Sequence, residues 1–108
     1  MSDDAVLFEV KEGVATLTLN DAARMNPLSP PIREGVMAAL ERVQCDLSIR
    51  VLVVKANGGG FCVGADLAEV IAKSEAPGGP AVSQQIADLM DDIGTPLVMR
   101  LRASRVPV

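Results

Sequence analysis

The sequence contains no histidine, tryptophan or tyrosine, and its only aromatic residues are two phenylalanines among 108 residues. Without histidine, the chain cannot build a Ser–His or Cys–His catalytic pair from its own residues. Cys45 and Cys62 lack the spacing of zinc ligands and are too few for a disulfide framework, so we expect no metal site and a cytoplasmic location. No apolar run has the length of a membrane span, and the acidic start MSDD is unlike a leader peptide.

Charge and length restrict the possible partners. The net charge of −4 argues against nucleic acid as a partner, because binding nucleic acid requires a basic surface. The length fits one domain. Three of the ten basic residues are arginines within the last nine positions. We therefore divide the chain into residues 1–99 and an arginine-rich tail, residues 100–108, of different composition.

The first half predicts a β-hairpin and a helix. Residues 6–10 and 14–19 predict two strands with a tight turn between them. In the second strand Thr16 and Thr18 alternate with apolar residues, the pattern of a half-buried strand. Ser29 should cap a helix that has Pro30 at its first position. Apolar residues at steps of three and four predict the buried face of this helix. They are Ile32, Val36, Ala39, Leu40, Val43 and Leu47.

Residues 50–67 combine a strand, a glycine loop and a helix start. The run VLVV at 51–54 predicts a strand buried on both faces. The NGGG at 57–60 suits neither helix nor strand, and a second helix should begin at Asp66 and end near residue 73. Backbone N–H groups converge in such loops, where α/β proteins bind anions or polarised carbonyls. The loop does not match a Walker A motif, the dinucleotide-binding glycine pattern or the Gly-x-Ser-x-Gly elbow.

The last third predicts a loop, a helix and a strand. The Pro/Gly-rich stretch 74–80 can be neither helix nor strand, and it is either a mobile cover over a ligand site or a bare linker. A third helix should cover residues 81–93, with Gly94 as the usual residue just past a helix end. Residues 95–99, TPLVM, should begin a strand with an unpaired edge.

The segment at residues 60–67, GFCVGADL, resembles the Phe-Cys/Ser-Ala-Gly-x-Asp-Leu signature of the enoyl-CoA hydratase/isomerase, or crotonase, family. In that family the residue before the second glycine offers its backbone N–H to the thioester oxygen of a bound acyl-CoA. The resemblance implies this oxyanion-hole role for Val63, whose side chain is larger than the family's usual one and should narrow the acyl pocket. The aspartate at Asp66 is usually structural in the family, and we favour helix capping over chemistry for it.

A second segment, NDAARMNPLS at residues 20–29, extends the resemblance upstream. The family carries Asn-Arg-Pro-x-Lys-x-Asn-Ala-Leu-Ser/Thr between the hairpin and the first helix. Both asparagines, the leucine and the serine match, a basic residue is present, and proline replaces the usual alanine. The resemblance covers roughly residues 6–92. It implies coenzyme A contacts at Arg24, Asn26, Ala65, Asp66 and Leu67.

The resemblance also implies the fold and its limits. The fold is α/β, the N-terminal half of a crotonase-like ββα spiral made of a β-hairpin, a helix, a buried strand and two further helices. Family enzymes are more than twice this length. Their second oxyanion donor is a glycine just after the strand that we place near Pro96, and their catalytic acids follow it. Glu69 and Glu75 are present, but the resemblance gives neither residue that role.

Three functions stay open. The first is the N-terminal part of an enoyl-CoA hydratase/isomerase, with a coenzyme A thioester as substrate for hydration or isomerisation and no activity expected from the 108 residues alone. The second is a non-catalytic remnant that binds acyl-CoA or coenzyme A, or that self-associates. The third is an unrelated small α/β nucleotide binder. We expect a homo-oligomer with no nucleic acid, membrane or permanently bound cofactor, because apolar helix faces should need cover.

Overall fold

The structure is a computed structural model that describes residues 4–108; residues 1–3, part of the acidic start, lie outside the described residues. This part of the chain begins with strands and ends in helices, with the first α-helix between the third and fourth strands. They are β1 (Val6–Lys11), β2 (Val14–Leu19), a 3₁₀ turn (Ala22–Arg24), β3 (Pro27–Leu28), α1 (Pro30–Cys45), β4 (Val51–Ala56), β5 (Gly64–Ala65), α2 (Leu67–Glu75), α3 (Val82–Leu89), a π-helical turn (Met90–Gly94) and α4 (Thr95–Arg102). None of these helices is long and apolar enough to cross a membrane.

Strands β1, β2 and β4 form one sheet with β2 in the middle. β1 pairs antiparallel with β2, which places Phe8 opposite Leu17, and β2 pairs parallel with β4, which places Leu17 opposite Val54. The predicted hairpin and the predicted strand at residues 51–54 are confirmed. The expectation that β4 is buried on both faces is wrong, since Val53 is 43% exposed. β4 is an edge strand, and α1 packs only on the face that carries Leu52.

The core lies between this sheet and α1. The helix buries five of the six positions that its period predicted, and they pack against apolar side chains of β2 and β4. These positions are Ile32, Val36, Ala39, Leu40 and Val43. The sixth, Leu47, is 77% exposed, because α1 ends at Cys45. Ser29 occupies the N-cap position as predicted, although its side chain makes no capping hydrogen bond.

Residues 95–99 form the start of α4, so the predicted strand is wrong. Gly94 does not end the preceding helix, because it has helical φ and ψ angles of −62° and −54°. The Thr95 N–H donates to the carbonyl of Met90, five residues earlier, which defines the π-helical turn. Pro96 has no N–H, so the helical hydrogen-bond pattern can shift at this point without losing a donor and then continue.

A segment near the C-terminus lies beside the outer edge of β4. The Leu52 N–H donates to the Pro107 carbonyl at 2.9 Å, and Val106 is buried in the core. The unpaired edge predicted at residues 97–99 therefore does not exist. The α1 stripe is also buried, so two arguments for self-association are lost, and the homo-oligomer stays a prediction supported by the exposed α3 stripe at Val82 and Ile86.

The arginines near the C-terminus attach it to α1. The division proposed between residues 99 and 100 falls inside α4. Arg100 pairs with Glu41 of α1 at 3.0 Å. Arg105 donates to three carbonyls at the end of α1 and in the turn that follows it. They belong to Val43, Asp46 and Ile49, at 3.0, 2.8 and 2.9 Å. Helix ends leave such carbonyls without partners in the helix, so Arg105 caps α1 from outside.

Candidate functional site

The candidate site lies where the loop after β4 returns to the segment before α1. β5 pairs parallel with β3, which places Gly64 opposite Pro27. Gly64 has φ +90°, which residues with side chains rarely adopt. At Gly58, with φ +96°, an added Cβ would lie 2.8 Å from the Ala22 Cβ. These two glycines let the loop turn sharply and pack closely against the 3₁₀ turn.

Asn26 fixes this loop from inside. Its side chain is 0% exposed. Its amide nitrogen donates to the carbonyls of Asn57 and Gly60 at 3.0 and 3.2 Å, and its amide oxygen accepts from the Asp21 N–H at 2.7 Å. Its φ of +54° lies in the left-handed region, which asparagine tolerates better than most residues. Because both ends of the amide are bonded within the protein, the geometry assigns Asn26 a positioning role in the site.

Val63 presents an unused backbone donor beside the fixed loop. Within residues 4–108 its N–H has no acceptor, and the residue is 54% exposed. The neighbouring Gly64 N–H donates instead to the Sγ of Cys62 at 3.4 Å. An N–H in this state can donate to a ligand carbonyl without first breaking a bond inside the protein.

Arg24 and Asp66 meet at the start of α2, although 42 positions separate them in the sequence. Arg24 Nη2 lies 2.7 Å from Asp66 Oδ1, and the same oxygen accepts from the Glu69 N–H. Asp66 therefore caps α2, as the sequence predicts. Its carboxylate is buried, whereas 46% of the Arg24 side chain is exposed. The guanidinium Nη1 also lies 3.6 Å from Asp21 Oδ2, and the remaining donors of Arg24 are at the surface of the site.

The pKa of Asp66 lies below its usual range. Burial alone would raise this pKa, but the hydrogen bond from Arg24, the bond from the Glu69 N–H and the charge of Arg24 together outweigh burial. The pKa of Arg24 is raised, first by its hydrogen bond to Asp66 and then by the charge of that carboxylate. Both groups are therefore held in their charged forms.

We expect the chain to lose stability in acid more steeply than an Asp66→Asn variant does. A carboxyl with a lowered folded-state pKa stabilises the fold above its unfolded value of about 3.9, and this contribution is lost as the pH falls through the folded-state pKa. Urea unfolding between about pH 6 and pH 2 measures the difference. Asp91→Asn, at an exposed carboxylate of the π-helical turn, is the matched control. An Asp66→Asn variant that keeps the full pH dependence would contradict this account.

A second ion pair supports the site and was missed by sequence reasoning. Arg33 Nη1 of α1 lies 3.0 Å from Glu69 Oε2 of α2 and donates to the Leu28 carbonyl of β3 at 2.8 Å. Both side chains are mostly buried. The partners are 36 positions apart, so no local pattern could have shown the pair. Glu69, which could have been proposed as a catalytic acid, is paired with Arg33 instead.

An apolar pocket adjoins β5 and was also missed. It has a volume of about 100 Å³ and lies between β5 and the helical segment that contains the π-helical turn. Its apolar walls are Leu28, Ala65, Leu89, Met90, Ile93 and Leu97. The sequence signal was the apolar stripe of the third predicted helix, formed by Val82, Ile86, Leu89, Met90 and Ile93. Assigning residues 95–99 to a strand removed Leu97 from that stripe and hid the pocket.

The structure brings together the residues that the sequence singled out. Val63, Ala65, Asp66 and Leu67 follow one another through β5 into α2, and Arg24 contacts Asp66 from the other side. The sequence model of the Enoyl-CoA hydratase/isomerase family matches residues 9–98 of the chain. The chain belongs to the enoyl-CoA hydratase/isomerase family. The resemblance to that family and the α/β fold expected from it are confirmed, and the hypothesis of an unrelated nucleotide binder is wrong.

Individual members of the enoyl-CoA hydratase/isomerase family show how much of the fold is present. A Mycobacterium abscessus protein described as an enoyl-CoA hydratase/isomerase superposes with a TM-score of 0.83 at 30% identity, over 96% of this chain and 38% of its own. The 1,2-epoxyphenylacetyl-CoA isomerase of Escherichia coli is 34% identical over 103 residues, which are 95% of this chain and 37% of that protein.

The trans-2-decenoyl-[acyl-carrier-protein] isomerase of Streptococcus mutans is 40% identical over 65 residues, 60% of this chain and 25% of that protein. The chain therefore spans between 25% and 38% of the length of these three family members.

Proposed function

We propose that this chain carries the first part of the acyl-thioester site of an enoyl-CoA hydratase/isomerase, with acyl-CoA as the substrate. The observation that carries the proposal is the unused Val63 N–H beside a loop fixed by Asn26. Such a donor bonds to the thioester oxygen, and the bond strengthens as negative charge develops there during hydration or double-bond isomerisation. The relatives from E. coli and S. mutans support a thioester, because their names describe isomerases of an acyl-CoA and of an acyl group on a carrier protein.

Coenzyme A itself is proposed to bind weakly along Arg24 and the backbone of residues 63–67. The remaining donors of Arg24 can bind a phosphate while the bond to Asp66 is kept. The charge of Asp66 and the net charge of −4 oppose the approach of an anionic ligand. We therefore propose a sub-millimolar affinity at best, equivalent to about 4–5 kcal/mol.

The 108 residues alone are proposed to bind the thioester without turning it over. The resemblance calls for a second oxyanion donor and catalytic acids that have no counterpart in this sequence, and Glu69 is paired with Arg33. Loss of one oxyanion donor lowers a rate by ~10²–10³, and loss of the acid and base adds to this. The side chain of Val63 should narrow the acyl site.

A second candidate function is a non-catalytic module that binds coenzyme A or self-associates. It is favoured by apolar side chains exposed around the site, at Phe61, Leu67 and Ile71. A second copy of the chain could cover them. The two free cysteines fit a cytoplasmic location, which stays part of this proposal.

Titration of the purified chain with crotonyl-CoA tests the proposal. We expect saturable binding at sub-millimolar concentration at best and no hydration above the buffer rate. Arg24→Gln should weaken binding, because it removes the donors to phosphate. Arg102→Gln removes the same charge at an exposed position of α4 and should leave binding unchanged. Turnover that copurifies with the chain, or equal affinity in both variants, would contradict the proposal.

A further inference from the structure

Gly94 lies in the π-helical turn although nothing in the backbone requires a glycine there. Its φ of −62° and ψ of −54° are helical, so any residue could adopt them. An added Cβ would meet the Leu89 carbonyl oxygen at 3.5 Å and the Met90 Sδ at 3.6 Å, which are ordinary contact distances. Glycine destabilises a helix interior relative to alanine. π-Helical turns are rare in proteins, and those that occur are often found at functional sites. The glycine and the π-helical turn therefore both need an explanation outside the helix itself.

The absent side chain leaves room in the apolar pocket next to β5. Gly94 lines this pocket together with Met90 and Leu97, and a Cβ on Gly94 would point among atoms of the pocket wall. Arg33, at the margin, is neutralised by Glu69. The volume of about 100 Å³ is somewhat smaller than the ~150 Å³ of an apolar cavity that holds benzene. The pocket therefore suits a compact apolar group.

The pocket and the oxyanion donor lie on one short stretch of chain. Ala65 lines the pocket and stands two residues after Val63 in the extended segment that forms β5. Two residues of a strand span about 7 Å. An acyl group whose thioester oxygen bonds to the Val63 N–H would therefore reach the pocket within its first few carbon atoms.

We propose that Gly94 is a specificity-determining residue that keeps this pocket open for the apolar end of the acyl group. The group is a short alkyl chain or a single ring. An alanine at position 94 fills part of the pocket, and a leucine there excludes the group. Met90, which is flexible and partly exposed, forms the adaptable side of the pocket. The inference rests on the proposed thioester site at Val63.

Two ligands separate this inference from the proposed function. Benzene tests the pocket without coenzyme A, and hexanoyl-CoA tests its connection to the thioester site. With both ligands we expect NMR shifts at the methyl groups of Met90 and Leu97, while free coenzyme A leaves these methyl groups unchanged. Gly94→Leu should abolish the benzene shifts, and Gly94→Ala should reduce them while raising the melting temperature. Ala87→Leu, which adds a branched apolar group of three carbon atoms on the exposed side of α3, should keep them.

Each outcome has a definite meaning. Unchanged benzene shifts in both Gly94 variants, or none in the parent chain, would overturn the role of Gly94. If hexanoyl-CoA moves the Val63 amide but not the pocket methyl groups, the inference fails and the proposed function stands. If benzene binds but hexanoyl-CoA leaves the Val63 amide unmoved, the proposed function fails and the assignment of Gly94 to acyl selection fails with it. Gly94→Ala still gives the answer if Gly94→Leu does not fold.

Discussion

Asn26→Ala is expected to destabilise the chain by about 3–5 kcal/mol and to release the glycine loop. The substitution removes all three hydrogen bonds of a fully buried side chain. It leaves the carbonyls of Asn57 and Gly60 and the Asp21 N–H, which are partly buried, without their partner. Each such group that water does not reach costs about 1–3 kcal/mol. Alanine also tolerates the left-handed φ of +54° less well than asparagine does. Urea unfolding measures the loss.

Asn57→Ala is the matched control for this prediction. The Asn57 side chain also makes a hydrogen bond, to Asn20 at 2.9 Å, but on the exposed surface. We expect a loss of less than about 1 kcal/mol, because water replaces the partner. If the two alanine variants unfold at the same urea concentration, Asn26 does not hold the loop and the proposed site loses its support.

Arg105→Ala is expected to cost about 2–3 kcal/mol, the typical range for hydrogen bonds made by a charged group. The guanidinium donates to the carbonyls of Val43, Asp46 and Ile49. Its removal therefore leaves the end of α1 uncapped. The next residue, Val106, is buried against the core and should be released with it. Urea unfolding and amide hydrogen exchange at the C-terminal end of α1 measure both effects.

Arg102→Ala provides the control, because this arginine is exposed on the last turn of α4. We expect a change within about 0.5 kcal/mol, as for most surface substitutions. Equal losses in the Arg102 and Arg105 variants would show that only net charge matters. The residues after 99 would then not be anchored through Arg105.

Much of the fold could be predicted because its patterns are local. The period-two alternation gave the hairpin, and the 3.6-residue period of α1 gave its buried face. The aspartate before an apolar run gave the cap of α2 at Asp66. Each of these features depends on residues within a few positions of one another, where sequence patterns are most informative.

The position of the segment beside β4 could not be predicted. Pro96 and Pro107 both stand next to β-branched or apolar residues, and short apolar runs do not distinguish a strand from a buried helix. The tertiary structure decides between them. The helix of α3 continues through Gly94 into α4, and Pro107 is the residue whose carbonyl bonds to the edge of β4.

In the candidate site, too, features formed by neighbouring residues could be predicted and contacts between distant residues could not. The motif around Val63 was found from the sequence, because its glycines and Asp66 are close together. The bonds of Asn26 could not be found, since its partners Asn57 and Gly60 lie 31 and 34 positions away. Resemblance alone therefore marked Asn26 as a contact for coenzyme A, whereas its bonds show how the loop is positioned.

The most direct test of the account is the backbone amide of Val63 in ¹⁵N NMR spectra. Crotonyl-CoA and free coenzyme A share every group except the thioester carbonyl and its acyl chain. We predict that crotonyl-CoA moves the Val63 N–H resonance strongly downfield, as a new hydrogen bond does. Free coenzyme A should perturb Arg24 and residues 63–67 without this downfield shift of the Val63 N–H. If Val63 responds equally to both ligands, or to neither, this residue is not an oxyanion donor and the proposed site is wrong.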